Sequence, residues 1–178
     1  MKRKRILKVW NTINGVLLAL VVLLAIALAG VRLFGVEVYV VLSGSMEPAY
    51  KTGSVIYVIE KDTDALKAGD VITFRLDGDT TATHRITDVT EENGAIAFRT
   101  KGDANEIEDA TLVTEKQVIG TPIFTIPHLG YLVTYIQSAS GRYATIAAGA
   151  TLLLMMFLPD IMFGDDKEDK KKSKEKSE

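Results

Sequence analysis

Residues 81–103 of this chain, TATHRITDVTEENGAIAFRTKGD, decide the fold of its central part. Asn93-Gly94 is a strong signal for a two-residue β-hairpin turn, and Thr81–Thr90 and Ala95–Thr100 on either side are rich in residues that favour strands. Counting outward from a type I′ turn places His84 opposite Asp103 on one face of the hairpin. A bulge or a one-residue slip would break that pairing.

The segments outside the hairpin repeat the same strand-and-turn pattern. Short runs of β-branched and aromatic residues follow one another closely, and no long helix is predicted between them. We therefore expect a compact, mainly antiparallel β barrel or sandwich. The other predicted strands are Glu37–Leu42, Ser54–Glu60, Asp70–Arg75 and Ile123–Ile126, and the turns are Thr52-Gly53, Ala68-Gly69, Asp77-Gly78-Asp79 and Lys101-Gly102-Asp103.

Two apolar segments flank this region. No residue from Val9 to Val31 is charged, and a helix of that length covers the roughly 30 Å hydrocarbon layer of a bilayer. A secretory signal peptide cleaved after Ala27-Leu28-Ala29 is the alternative, but its apolar region would be unusually long. The second segment, between Arg142 and Asp160, is near the lower limit for a span, and a buried or interfacial helix is its alternative.

Basic residues set the predicted orientation. Five of them crowd the N-terminus and more follow the second segment, so both ends are expected in the cytoplasm and the β domain outside it. The predicted organisation is a cytoplasmic N-terminus (1–8), a transmembrane helix (9–31), an extracytoplasmic β domain (32–142), a second transmembrane helix (143–163) and a charged, disordered tail (164–178).

Composition excludes several functions. The chain has no cysteine, which rules out disulfides, thiolate metal sites and a cysteine nucleophile, and its two histidines are too few for a site built on several histidines. No basic stripe with interleaved aromatics points to nucleic acid. We expect no cofactor and no metal; calcium binding, without EF-hand spacing, is a weak alternative that would use Asp77, Asp79, Asp103, Glu106, Glu108 and Asp109.

A candidate nucleophile lies in the turn after the first strand. Nucleophilic catalysis needs a hydroxyl, a base and donors for the developing oxyanion. The turn runs from Ser43 through Gly44 and Ser45 to Pro48, where glycine permits a tight backbone and proline stiffens the exit. Taken alone, these residues equally fit a plain loop.

Four boxes in order make the pattern specific, and together they resemble type I signal peptidases. The resemblance is to the Ser/His branch found in archaea, in the endoplasmic reticulum and in some Gram-positive bacteria with the SipW-like enzyme, and it covers most of residues 10–130. The boxes are Val41–Pro48, Gly69–Phe74, Thr83–Ile86 and Thr100–Asn105 with Asp109 beyond it.

The resemblance implies a membrane-bound serine endopeptidase that removes signal peptides through an acyl-enzyme. Ser45 would be the nucleophile, His84 the general base, and Ser43 an oxyanion-hole donor beside the Ser45 amide. Asp109 matches the third member of the triad and Asp103 a second important acid. The hairpin geometry instead favours Asp103 beside His84, so the orienting carboxylate is left open between the two.

The implied partners are secretory preproteins with small residues at −1 and −3, the membrane lipid, and the secretion translocon. A Ser/Lys dyad through Lys101 is the mechanistic alternative, and His128 is expected at the surface. A non-catalytic, membrane-anchored β domain that binds or scaffolds partners is the rival function. It leaves the ordered boxes unexplained, and an inactive homologue would lack a catalytic residue, whereas none is missing here.

Overall fold

The computed structural model describes the backbone of residues 2–76, 78, 80–92 and 94–163. Asp77, Asp79, Asn93 and the predicted tail at 164–178 lie outside the described residues. The chain divides into two compact units, one running from Ala27 to Tyr135 and the other made by residues up to Ile26 and from Ile136 onward.

The first unit is built on one antiparallel sheet. Its strands lie in the order β1-β2-β7-β3-β4-β5-β6, so that β1 and β6 form the edges. The predicted mainly antiparallel β class is confirmed, as a single sheet, and each of the six predicted strands overlaps an observed one. The strands are β1 (Val36–Val40), β2 (Val55–Ile59), β3 (Val71–Arg75), β4 (Thr81–Glu92), β5 (Ala95–Lys101), β6 (Val113–Thr114) and β7 (Val118–Ile126).

The β4–β5 hairpin follows the predicted register only in its half nearest the turn. From the turn as far as Asp88, which pairs with Arg99, the strands match as expected. A bulge at Thr87 then shifts the register by one residue, so Arg85 pairs with Lys101. A bulge puts an extra residue on one strand, and every later side chain on that strand is displaced relative to its partner strand.

The bulge overturns the predicted pairing of His84 with Asp103, which was wrong. His84 is paired on its other side with Ile72 of β3, and the two side chains leave the sheet on the same face. Its imidazole lies edge-on to Phe74, with ring centroids 6.1 Å apart. Pairing with β3 therefore sets the face of the sheet from which the imidazole projects.

Strand β7 begins earlier than predicted, and β6 was not predicted at all. Pro122 interrupts the apolar pattern of β7, which is why only Ile123–Ile126 was expected. The strand tolerates this proline because it faces Val58 where the β2–β7 register shifts. By joining β2 to β3, β7 connects the strand that follows the serine turn to β3, which pairs with the histidine-bearing strand β4.

The hydrophobic core lies between β3, β4, β5 and β6. Its members are almost fully buried, and Phe98 and Ile72 are 0% exposed. Such a close-packed core keeps the sheet rigid, and it therefore also fixes the ends of the strands that carry the site. The cluster consists of Leu66, Ile72, Phe74, Ile86, Phe98 and Val113.

The second unit contains the two long helices. They are α1 (Lys2–Leu28) and α3 (Ala139–Phe163). A short helix, α2 (Leu129–Gln137), was not predicted; it begins in the first unit and precedes α3. The stretches Lys8–Leu28 and Ala139–Leu158 have mean hydropathies of 2.3 and 1.4, and both are long and apolar enough to cross a bilayer.

One backbone carbonyl links these two helices. Pro159 has no N–H, so the carbonyl of Met155, four residues earlier, lacks its usual helical donor. The indole N–H of Trp10 donates to that oxygen at 3.0 Å, and the amide of Asn14 donates to it at 3.4 Å. The N-terminal part of α1 therefore lies beside the C-terminal part of α3.

Candidate active site

Ser45 lies in the loop between β1 and β2, and the residues around it are held firmly. Its neighbour Met46 is 2% exposed and so anchors the turn in the core. Across the loop, the carboxylate of Glu47 accepts the backbone N–H of Thr52 at 3.2 Å and its hydroxyl at 3.1 Å. The loop thus presents the serine hydroxyl on a braced backbone.

The turn after β5 holds Ser45 from the other side. The backbone N–H of Ala104 donates to the carbonyl oxygen of Ser45 at 2.8 Å. The backbone comes so close at Gly102 that a Cβ there would lie 2.6 Å from the same oxygen. Glycine is therefore required for this contact, which the sequence analysis treated only as a turn.

His84 joins the hydroxyl of Ser45 to a carboxylate. Its Nε2 lies 3.2 Å from the hydroxyl oxygen of Ser45, and its Nδ1 lies 2.6 Å from Oδ2 of Asp109. Between Asp103 and Asp109, which the sequence left open, the structure brings Asp109 to the imidazole. A hydroxyl, an imidazole and a carboxylate in series are the arrangement that serine hydrolases use.

Asp103 makes a different pair. Its two carboxylate oxygens accept hydrogen bonds from Nε and Nη2 of Arg85 at 2.8 and 2.6 Å. These bonds hold the pKa of Asp103 below its ordinary value and raise the pKa of Arg85. Nη1 of Arg85 also donates to the carbonyl of Gly69 at 2.8 Å, so the pair ties the β5 turn to the start of β3.

Two contributors to the site were missed in the sequence analysis although both lie inside the quoted boxes. Arg85, beside the histidine, received no role, because its partner depends on the bulge. Thr100 likewise received none, yet its hydroxyl donates to Oδ2 of Asp109 at 2.6 Å. Spacing alone offered no signal for Thr100, since Asp109 reaches it only through the folded loop.

Ser43 lies beside Ser45, the position that the family resemblance implied for it. The two hydroxyl oxygens of Ser43 and Ser45 are 3.2 Å apart. A hydroxyl at that distance is close enough to reach an oxygen on a carbon attached to Ser45.

A cleft of about 530 Å3 opens at these hydroxyls. One wall is β1 and the residues after it, and the other is Thr81–His84 of β4. Tyr39 lines the same cleft, donates its hydroxyl to Glu37 and, mainly through burial, has its pKa raised to about 12. The floor includes Met46, Ile56 and Ala82.

The other two candidate bases lie elsewhere. Lys101 pairs with Arg85, so its side chain leaves the sheet on the opposite face from the neighbouring His84. His128 is exposed and stacks on Tyr131 with ring centroids 6.3 Å apart. The described contacts therefore favour His84 as the base that Ser45 can reach.

The fold and the contact series define a serine hydrolase type of site, and comparison with known proteins identifies the family. A family model described as signal peptidase, peptidase S26, matches residues 13–126. The chain therefore belongs to the signal peptidase family.

Individual relatives agree with this assignment. The chain is 34% identical over 116 residues to signal peptidase I W of Bacillus subtilis, covering 61% of each chain. It is 38% identical over 129 residues to the rat signal peptidase complex catalytic subunit SEC11C, covering 66% of this chain and 67% of that one. The chain thus spans less than two thirds of the Bacillus protein and about two thirds of the rat protein.

Proposed function

We propose that this chain is a membrane-bound serine endopeptidase that removes N-terminal signal peptides from secreted preproteins. The observation that carries the proposal is the contact series from Ser45 through His84 to Asp109, which opens into a cleft within a signal peptidase fold. In this series Ser45 is the nucleophile, His84 the general base and Asp109 the carboxylate that orients it.

The reaction proceeds in two stages. Nε2 of His84 takes the hydroxyl proton as Oγ of Ser45 attacks the scissile carbonyl, and the same nitrogen then gives the proton to the leaving amine. This leaves an acyl-enzyme on Ser45. In the second stage His84 takes a proton from water, which attacks the ester; the imidazolium then returns this proton to Oγ of Ser45 as the ester bond breaks, and the signal peptide leaves with a new carboxylate.

Oxyanion stabilisation is assigned to the backbone N–H of Ser45 and the hydroxyl of Ser43. The support is the short distance between the two serine hydroxyls and the braced backbone of the turn. Asp103 supports the site through Arg85 without touching the reacting groups. Removal of one oxyanion donor typically costs about 10²–10³ in kcat.

The cleft suits an extended peptide. β1 is an edge strand, and the pairing of β4 with β5 reaches no further than Arg85, so main-chain groups at Thr81–His84 face the cleft. A substrate strand between these edges would turn alternate side chains toward the apolar floor. Small residues at −1 and −3, which the sequence resemblance implies, have that spacing.

We further propose that α1 and α3 span the membrane, with both termini cytoplasmic and the β unit extracytoplasmic. The basic N-terminus and the contacts of Trp10 and Asn14 with Met155 support this topology, because they place the N-terminal part of α1 beside the C-terminal part of α3. An anchored site meets the end of a signal peptide at high effective concentration. Secretory preproteins, membrane lipid and the secretion translocon are the proposed partners.

The test is cleavage of a preprotein by the full chain in detergent micelles. Ser45→Ala, His84→Gln and Asp109→Asn should each lose cleavage while keeping the wild-type unfolding transition. Ser140→Ala, His128→Gln and Asp64→Asn make the same three substitutions at exposed positions and should keep cleavage at the wild-type rate. Cleavage by Ser45→Ala at the wild-type rate would reject the proposal.

A further inference from the structure

The carboxylate beside His84 lies on a loop rather than on a strand. β5 ends at Lys101 and β6 begins at Val113, and Asp109 lies in the irregular segment between them. Loops are generally more mobile than the strands that they connect. The position of Asp109 must therefore be maintained by contacts with a more rigid element.

Thr100 provides two such contacts. Its carbonyl oxygen accepts the backbone N–H of Asp109 at 2.9 Å, and its hydroxyl donates to Oδ2 of Asp109 at 2.6 Å. Thr100 is 0% exposed and pairs with Ile86 of β4 inside the sheet. The rigid part of the hairpin therefore holds both the backbone and the carboxylate of Asp109.

We infer that Thr100 is a positioning residue for catalysis: its hydroxyl fixes the Asp109 carboxylate in the orientation that holds the His84 imidazole toward Ser45. The inference rests on the proposed function. The same Oδ2 atom is 2.6 Å from Nδ1 of His84, so the oxygen is held between a strand hydroxyl and the imidazole.

The chemistry gives this hydroxyl a role in the transition state. When Ser45 attacks, His84 becomes an imidazolium, and its stabilisation depends on a carboxylate that is already correctly placed. Without the Thr100 hydroxyl, the Asp109 carboxylate can rotate about its last side-chain bond, and its Oδ2 loses one of its two side-chain hydrogen-bond partners. Since the effect appears as charge develops, it lowers kcat more than it raises KM.

Three variants separate the hydroxyl from the shape of the side chain. Thr100→Val keeps the branched shape without the donor, Thr100→Ser keeps the donor without the methyl group, and Thr125→Val is the control. Thr125 of β7 donates its hydroxyl to the carbonyl of Val55 at 3.2 Å and lies outside the residues that line the cleft. Each is assayed as the full chain in micelles for preprotein cleavage, with the unfolding midpoint measured in parallel.

We expect kcat to fall about 10–100-fold in Thr100→Val and to stay within about threefold of wild type in Thr100→Ser and Thr125→Val. Equal kcat in the wild type and Thr100→Val would overturn the inference, and so would equal losses in the Val and Ser variants. If Thr100→Val does not fold, Thr100→Ala replaces it, since Ala and Ser both lack the methyl group and only Ser keeps the hydroxyl.

Imidazole NMR supplies a readout that does not depend on turnover. The chain has two histidines, so His128→Gln leaves the ring of His84 as the only histidine signal. The slowly exchanging Nδ1 proton of His84 should be seen in that background and with Thr100→Ser, and should broaden or disappear with Thr100→Val. If the Nδ1 proton signal persists in Thr100→Val, the positioning role is rejected. If the wild-type chain shows this signal but cleaves no preprotein, only the proposed function is rejected.

Discussion

Gly102→Ala should slow catalysis without touching a catalytic side chain. The added Cβ would lie 2.6 Å from the Ser45 carbonyl oxygen, about 0.8 Å short of the 3.4 Å at which ordinary contact begins. Gly102 does not have a positive φ, so alanine adopts its backbone conformation and the effect is steric. Either the Ser45 backbone or the turn after β5 must move by a distance of this order.

A displacement of about 1 Å at a reacting group costs roughly 10²-fold in rate, and overpacking costs about 1–3 kcal/mol of unfolding free energy. We expect a kcat near one hundredth of wild type, measured on a preprotein at saturating concentration, in a chain that remains folded in micelles. Gly15→Ala is the matched control, because its added Cβ meets no atom within 4 Å other than the neighbouring backbone of its own helix. A kcat for Gly102→Ala within twofold of wild type would refute the idea that this close approach places the nucleophile.

Three further results are expected. Asp103→Asn should lower the unfolding free energy by about 1–3 kcal/mol at pH 7. The pKa of Asp103 is depressed below 3.8 in the folded state, so the stabilisation from its charge is present above pH 3.8 and is lost as the pH falls through the folded pKa. Denaturant curves of the variant and the wild type should therefore converge in acid. Ser43→Ala should lower kcat about 10²–10³-fold with little change in KM, and a change confined to KM would contradict its oxyanion role. Trp10→Phe should lower the unfolding free energy in an SDS assay by about 0.6–2 kcal/mol, because the Met155 carbonyl loses the indole donor. The loss should be smaller in a Pro159→Ala chain, where residue 159 can again donate to that carbonyl. Equal losses in the wild-type and Pro159→Ala chains would contradict the idea that the indole replaces the missing helical donor.

The serine and the histidine of the site were predictable because they lie in short boxes whose order resembles a known family; alone, the serine turn equally fitted a plain loop. The turn follows an apolar strand, and the histidine lies in a strand whose β-branched residues are plain in the sequence. Local propensity also predicted the hairpin turn and the register out to Asp88. These features depend on neighbours within a few residues, which is the range over which sequence patterns carry information.

The choice of carboxylate was not predictable in this way from hairpin geometry. One bulged residue, Thr87, decides it, because the bulge shifts the register and leaves Asp103 to pair with Arg85. Bulges have no reliable local signature in a single sequence, and an error of one residue changes the face of every side chain beyond it. The motif resemblance favoured Asp109 by its position in the box, without giving a physical reason.

The amino-acid sequence alone therefore determined six of the seven strands and the two apolar helices, because these are encoded in local hydrophobicity and turn chemistry, and the order of its boxes indicated the serine and the histidine through their resemblance to a family. Only the tertiary structure decided that β7 lies between β2 and β3 and that the backbone at Gly102 closely approaches the Ser45 carbonyl. It also decided that Asp109 contacts His84 while accepting a hydrogen bond from the hydroxyl of Thr100. These contacts join residues far apart in the chain, and their geometry is set by how the whole sheet packs.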